Sequence, residues 1–141
     1  MSRENIEIVR QANEAFNRGD IAGFLTFCGE DVEVEDLMNA PDLPRKGHGI
    51  QEVGKMLTAW IEAFDEFSAE VVEYIDEGHH VVCVTDYYGK SREGGLTIHQ
   101  KTADVAEVRN GKFVRLTFGY SNRKEALEAV GLSDQDANAD S

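Results

Sequence analysis

Basic residues, prolines and cysteines are scarce in this 141-residue chain, and no long apolar run occurs. Lys and Arg together number 14 against 27 Asp and Glu, for a formal net charge of −13. A field of that sign repels phosphate backbones and anionic lipid headgroups, so neither nucleic acid nor a membrane surface is an expected partner. Runs such as VVCV at 81–84 are far too short to span a bilayer. The opening MSRENIEIVR is charged and already helical in pattern, unlike a secretory signal peptide, and a cytoplasmic location is expected. The two cysteines, Cys28 and Cys83, lie far apart within apolar stretches. Reduced, buried thiols are the natural reading for them, not a disulfide framework. There is no paired-cysteine spacing and no H-x-x-x-H pair on a helix, so no metal site is expected from the four histidines. No glycine run follows the strand–G-x-G-x-x-G–helix order of a dinucleotide site, and no cofactor is expected.

What is present is an ordinary globular core. The 41% hydrophobic content and the length fit one domain, expected over residues 1–132. The remainder, SDQDANADS at 133–141, is an acidic tail with almost nothing to bury. Ile6, Val9, Asn13 and Phe16 follow helical spacing over 4–18, ended by Gly19. Asp20 can cap a short second helix with Ile21, Phe24, Leu25 and Cys28 facing inward. A strand is predicted at 31–36, then a loop, LMNAPDLPRK, that holds both prolines. The spacing of Ile50, Val53, Leu57, Trp60, Ile61 and Phe64 predicts a third helix over 49–64. After Asp65 the period changes to two, giving strands at 66–76, 80–90, 96–109 and 112–120, separated by EGHH, SREGG and the hairpin signal Asn110-Gly111. A closing helix over 122–130 has Asn122 and Glu125 as a capping-box variant and Gly131 at its end. Three helices with one early strand, followed by a four-strand antiparallel meander, define an α+β fold with helices on one face of a curved sheet.

Parity then places polar groups. In DVEVED (31–36), Val32, Val34 and Asp36 share one face. In 96–109 the set Ile98, Gln100, Thr102, Asp104, Ala106 and Val108 is assigned inward, and in 112–120 the set Val114, Leu116, Phe118 and Tyr120. Two carboxylates, Asp36 and Asp104, thus fall on faces that are otherwise apolar. Burial disfavours the charged form of a carboxyl group and raises its pKa, which suits a proton shuttle or a neutral hydrogen-bond donor near neutral pH. The bland alternative is that each acid lies at a strand end in water or pairs with a nearby cation. Arg45 and Lys46, the local basic pair, read as solvated surface charge.

The stretches ENIEIVRQANEAFNRGDIAGFLTFCGEDVEVED, GHGI, Trp60-x-x-x-Phe64 and VRNGKFVRLTFGYSNRKEALEAVGL resemble SnoaL-like proteins of the nuclear transport factor 2-like superfamily, which includes ketosteroid isomerase. The resemblance covers about residues 4–132 and implies a cone-shaped α+β barrel, with three N-terminal helices on a curved mixed or antiparallel sheet. It also implies a pocket for a small hydrophobic molecule and a homodimer formed through the sheets. Asp36 matches the isomerase's general base, and Asp104 its second, protonated aspartate. Ala12 stands where the isomerase has its oxyanion tyrosine, so a hydroxyl donor is sought in Tyr88 or Tyr120. The final strand lacks the acid of polyketide cyclases, and Thr102 stands where epoxide hydrolases of this fold have the Arg of Arg-x-Asp. The expected pocket is lined by Phe16, Met38, Met56, Trp60, Phe64, Tyr88, Phe118 and Tyr120. Two functions follow: cofactor-independent proton transfer α to a carbonyl by the aspartate pair, or a non-catalytic binding or interaction module.

Overall fold

A computed structural model describes residues 2–38, 43–92 and 97–133. The acidic tail from residue 134, part of the proline loop and the tip of the SREGG turn lie outside the described residues. The elements run α1 (Ser2–Asn17), α2 (Ile21–Leu25), β1 (Cys28–Asp36), β2 (Lys46–His48), α3 (Gly49–Glu62), β3 (Phe64–Asp76), β4 (His80–Ser91), β5 (Thr97–Arg109), β6 (Lys112–Tyr120) and α4 (Arg123–Ala129).

Local chemistry explains the helix ends. Gly19 takes φ +76 after α1, a conformation that a residue without Cβ adopts cheaply. The Asp20 carboxylate accepts the Gly23 N–H at 2.8 Å and caps α2. Asn122 accepts the Glu125 N–H at 2.9 Å, while Glu125 accepts the Ser121 N–H at 3.2 Å, so α4 starts on the expected reciprocal cap. Helix α3 buries Val53, Met56, Leu57 and Trp60. It stops before Phe64, which the helical period had included. Phe64 instead opens β3 opposite Ser91, and its ring stacks on Trp60 at 6.0 Å, so the aromatic stripe continues across the boundary.

One sheet has the order β2-β1-β6-β5-β4-β3. The meander β3 to β6 is antiparallel, as the alternating pattern predicts, and β1 joins it by parallel pairing to β6. Two features differ from expectation. Strand β2 falls where the pattern reads as loop, because three residues are too few to show alternation. The sheet is curved but unclosed, with β2 and β3 as its edges, so the expected barrel is open.

The sheet is covered on its inner face by three helices and on part of its outer face by the fourth. Its inner face carries Val32, Val34, Val81, Cys83, Ala106, Val108, Phe113 and Leu116, packed against α1, α2 and α3. On the other face Val82, Ala103 and Val105 meet Ala126 and Leu127 of α4. Helix α4 therefore packs opposite the other three, and this is why VVCV lacks alternation: both faces are buried there.

Two bulges on β6 reset its parity. Glu107 pairs with Arg115 but Val108 pairs with Phe113, which leaves Val114 extra. Phe113, not Val114, is then fully buried, at 1% exposure. Further on, Val105 pairs with Thr117 while Ala103 pairs with Tyr120, so Phe118 and Gly119 together oppose Asp104. Tyr120 is turned to the outer face, against the α4 cluster. Gly119 makes this second bulge possible at φ +95, and a Cβ there would lie 2.5 Å from Met38 Cγ and 2.9 Å from the Met38 nitrogen. Gly119→Ala is expected to lower stability by about 2 kcal/mol or more, from backbone strain plus the clash with β1's extension. Gly111→Ala, at φ +77 with open space around it, should cost less. Urea denaturation of both variants gives the comparison, and equal losses would rule out the close approach as the cause.

Candidate functional site

Between the inner face of the sheet and the helices lies a cavity of about 90 Å³. That is several times the roughly 10–15 Å³ one water requires. Its walls are mostly aromatic and aliphatic. Phe67 of β3 is the hub, with ring centroids 5.6 Å from Trp60, 5.7 Å from Phe16 and 6.0 Å from Tyr87. It thereby ties α3, α1 and β4 into one wall.

Both sequence-predicted acids face this cavity. Asp36, 5% exposed, ends β1, and Asp104, 7% exposed, lies on β5. A single peptide unit connects the chain next to Asp36 with Asp104: the Phe118 carbonyl accepts the Leu37 N–H at 2.7 Å, and the Gly119 N–H donates to Asp104 Oδ1 at 2.9 Å. Asp104 Oδ2 accepts the Tyr87 hydroxyl at 2.6 Å. Asp36 Oδ1 accepts the Met38 N–H at 2.9 Å, and its other oxygen accepts nothing from the described residues.

Burial sets the protonation of these groups. It pushes Asp104 from 3.8 up to about 6, against the opposing hydrogen bonds from Tyr87 and Gly119 and the nearby Thr85 hydroxyl, with the neighbouring Asp36 charge adding to the rise. Asp36 is also raised by burial, partly offset by the Met38 N–H and the Arg45 charge. Tyr87 is held well above its usual range by burial and by Asp104, so its phenol stays neutral. The Cys83 thiol, on the same inner face, is pushed up by burial and by Asp104 and stays protonated. No Lys, Arg or His is among the described lining residues. An anionic ligand would therefore meet two acids with no compensating cation.

Of the pocket residues expected from sequence, Phe16, Met38, Trp60 and Phe118 line the cavity with the two acids. The others lie elsewhere. Met56 is buried in the core beneath Gly47 of β2, and Phe64 packs behind Trp60. Tyr88 is 38% exposed on the outer face, edge-on to His99, and Tyr120 is turned outward by the Gly119 bulge. The hydroxyl beside Asp104 belongs to Tyr87, one residue from the tyrosine named on sequence grounds. A register argument could have found it, since Cys83 pairs with Asp104 and Tyr87 with Gln100, which gives Tyr87 the face of Asp104. Among the described residues no group of three or more His, Cys, Asp or Glu side chains could hold a metal ion.

An open curved sheet of six strands packed under three helices is the ketosteroid isomerase-like, NTF2-like architecture. The chain belongs to the SnoaL-like domain family, whose sequence model matches residues 9–116. Among solved structures it is similar to TerC co-crystallised with polyporic acid, at 23% identity over 81% of this chain and 88% of that one, with a TM-score of 0.72. It is also similar to an NTF2-like protein of unknown function from Burkholderia pseudomallei, at 23% identity, 93% and 98% coverage and a TM-score of 0.73. A Mycobacterium tuberculosis protein in complex with estradiol-17beta-hemisuccinate matches at 16% identity, 85% and 95% coverage and a TM-score of 0.72. At these identities the likeness is one of fold. No curated protein matches the sequence.

The raised Asp104 carries a pH signature. In the unfolded chain it ionises near 3.8, in the folded chain at about 6. As pH climbs through that window the unfolded state releases its proton first, so the contribution is present below about 3.8 and lost by about 6. The stability of the wild type relative to Asp104→Asn is expected to fall by on the order of 2–3 kcal/mol between about pH 4 and about pH 7. A pH-independent difference in urea titrations would show that Asp104 ionises as it does in an unfolded chain.

Proposed function

We propose that this protein takes a compact, mainly apolar carbonyl compound into the chamber and moves a proton α to the carbonyl without a cofactor. The observation that supports this is the pair of buried carboxylates facing one apolar cavity, one of them poised at about 6. Asp36, with one oxygen uncommitted, is the proton acceptor. Asp104 in its protonated form, with Tyr87 beside it, supplies hydrogen bonding to the oxygen on which negative charge develops. With Asp104 protonated, its hydroxyl donates to Tyr87 and the Tyr87 hydroxyl turns to the ligand. The apolar walls weaken competition from water and strengthen both interactions.

A non-catalytic binding module is the second reading, favoured by the occupation of both Asp104 oxygens by protein donors. Two solved relatives hold small organic molecules, polyporic acid in one and estradiol-17beta-hemisuccinate in the other, which supports a small-molecule ligand under either reading. We place the protein in the cytoplasm, where its two buried free thiols suit a reducing environment. We also take it to be a homodimer through the outer sheet face, where Tyr88 and His99 stand exposed.

Deuterium exchange into an enolisable cyclic ketone, followed by NMR, tests the chemistry. Asp36→Asn is expected to slow exchange by about 10²–10⁴-fold. The wild-type rate should fall as pH rises above about 6, where Asp104 loses its proton. Asp104→Asn, which keeps a neutral donor, should lack that falling limb. Unchanged exchange in Asp36→Asn would remove the base, and a ketone that binds without exchanging would establish the binding module.

A further inference from the structure

The cavity has a polar feature that the proton-transfer reading does not use. Asn13 of α1 lines it. The Asn13 side-chain nitrogen donates to the Ala69 carbonyl of β3 at 2.9 Å. A carbonyl oxygen can only accept, so the NH₂ end of the amide must face Ala69 and the orientation of the group is fixed. Its carbonyl oxygen is left with no donor among the described residues. Neither cavity hydroxyl serves it: Tyr87 lies at the acid end, 2.6 Å from Asp104 Oδ2, and Thr85 donates to the Cys83 carbonyl at 3.2 Å. With no cation in the wall, the Asn13 oxygen is an open acceptor at the end remote from the acids.

We infer that Asn13 is a specificity-determining residue, and that the ligand carries a hydroxyl or N–H group which donates to the Asn13 side-chain oxygen at the end remote from the acids. The inference rests on the proposed carbonyl-binding role of the Asp36–Asp104 end and names a second requirement on the same molecule. Sheet order supplies the spacing. Asn13 is anchored on β3, Asp104 lies two strands away on β5, and Asp36 lies at the far side on β1. Neighbouring strands are about 4.8 Å apart, so roughly 10 Å separates the lines of β3 and β5. A single ring with a carbonyl at one end and a donor at the other bridges such a gap with one hydrogen bond at each end. A ligand that covers this half-buried acceptor must supply a donor to it, so an isosteric ligand without one is disfavoured.

Binding of 4-hydroxycyclohexanone and 4-methylcyclohexanone, measured by NMR titration, compares a donor with a methyl group of similar size. The wild type is expected to prefer the hydroxyl compound by about fivefold or more. Asn13→Leu should abolish or reverse that preference. It need not unfold the chain, because the Ala69 carbonyl still accepts from Asn17 at 2.8 Å. Asn17→Leu removes two hydrogen bonds to Ala69 but no described cavity wall. It should lower the Tm while leaving the hydroxyl-to-methyl ratio intact, which a merely structural role for the Asn13–Ala69 contact would not predict. Equal binding of the two ketones by the wild type, or an undiminished preference in Asn13→Leu, overturns the Asn13 assignment and leaves the acid pair untouched. Failure of both ketones to bind wild type overturns the carbonyl-binding reading, and this inference with it.

Discussion

The peptide unit between Phe118 and Gly119 is the constraint on which the site depends. Its oxygen takes the Leu37 amide of the chain leaving β1, and its N–H reaches the Asp104 side chain on β5. Strand β6 lies between the two acid-bearing strands, and it can turn this unit to both only because Gly119 adopts a positive φ. A regular strand there would have kept Tyr120 on the cavity face and aimed the Gly119 N–H at the β5 backbone instead of the Asp104 side chain. The bulge converts a ladder position into a link between the chain beside Asp36 and the Asp104 carboxylate.

Around that link the chemistry follows from exclusion of water. The aromatic wall centred on Phe67 keeps the surroundings apolar, and the apolar surroundings raise both acids. Hydrogen bonds from Tyr87 and Gly119, with the nearby Thr85 hydroxyl, pull Asp104 back, and the balance leaves it at about 6. Neither influence alone would do so: a dry acid without donors would stay protonated, and a well-solvated one would stay ionised.

Much of this was legible in the chain. The helical stripes through Val9 and Trp60, the meander and the inward parity of Asp36 and Asp104 follow from periodicity alone. Periodicity failed wherever the structure breaks its own period. Val114 and Tyr120 were placed inward because alternation was carried through two bulges that a sequence does not announce. Tyr87 was hidden because the apolar run at 81–84 in β4 is buried on both faces, which gives no parity to extrapolate. Strand β2 was too short to register. The charge of −13 said nothing about the site, since the acids that face the cavity are a small minority of the total.

The Asn17 side chain has a consequence beyond anchoring α1. It offers Ala69 both an acceptor at 2.9 Å and a donor at 2.8 Å, as the backbone of a seventh strand would. The long outer strand β3 is thus stoppered midway along its open side, where a foreign polypeptide would otherwise zip on. At the opposite border β2 offers only three residues, with charged Lys46 at one end. An unclosed sheet so terminated resists growing into fibrils.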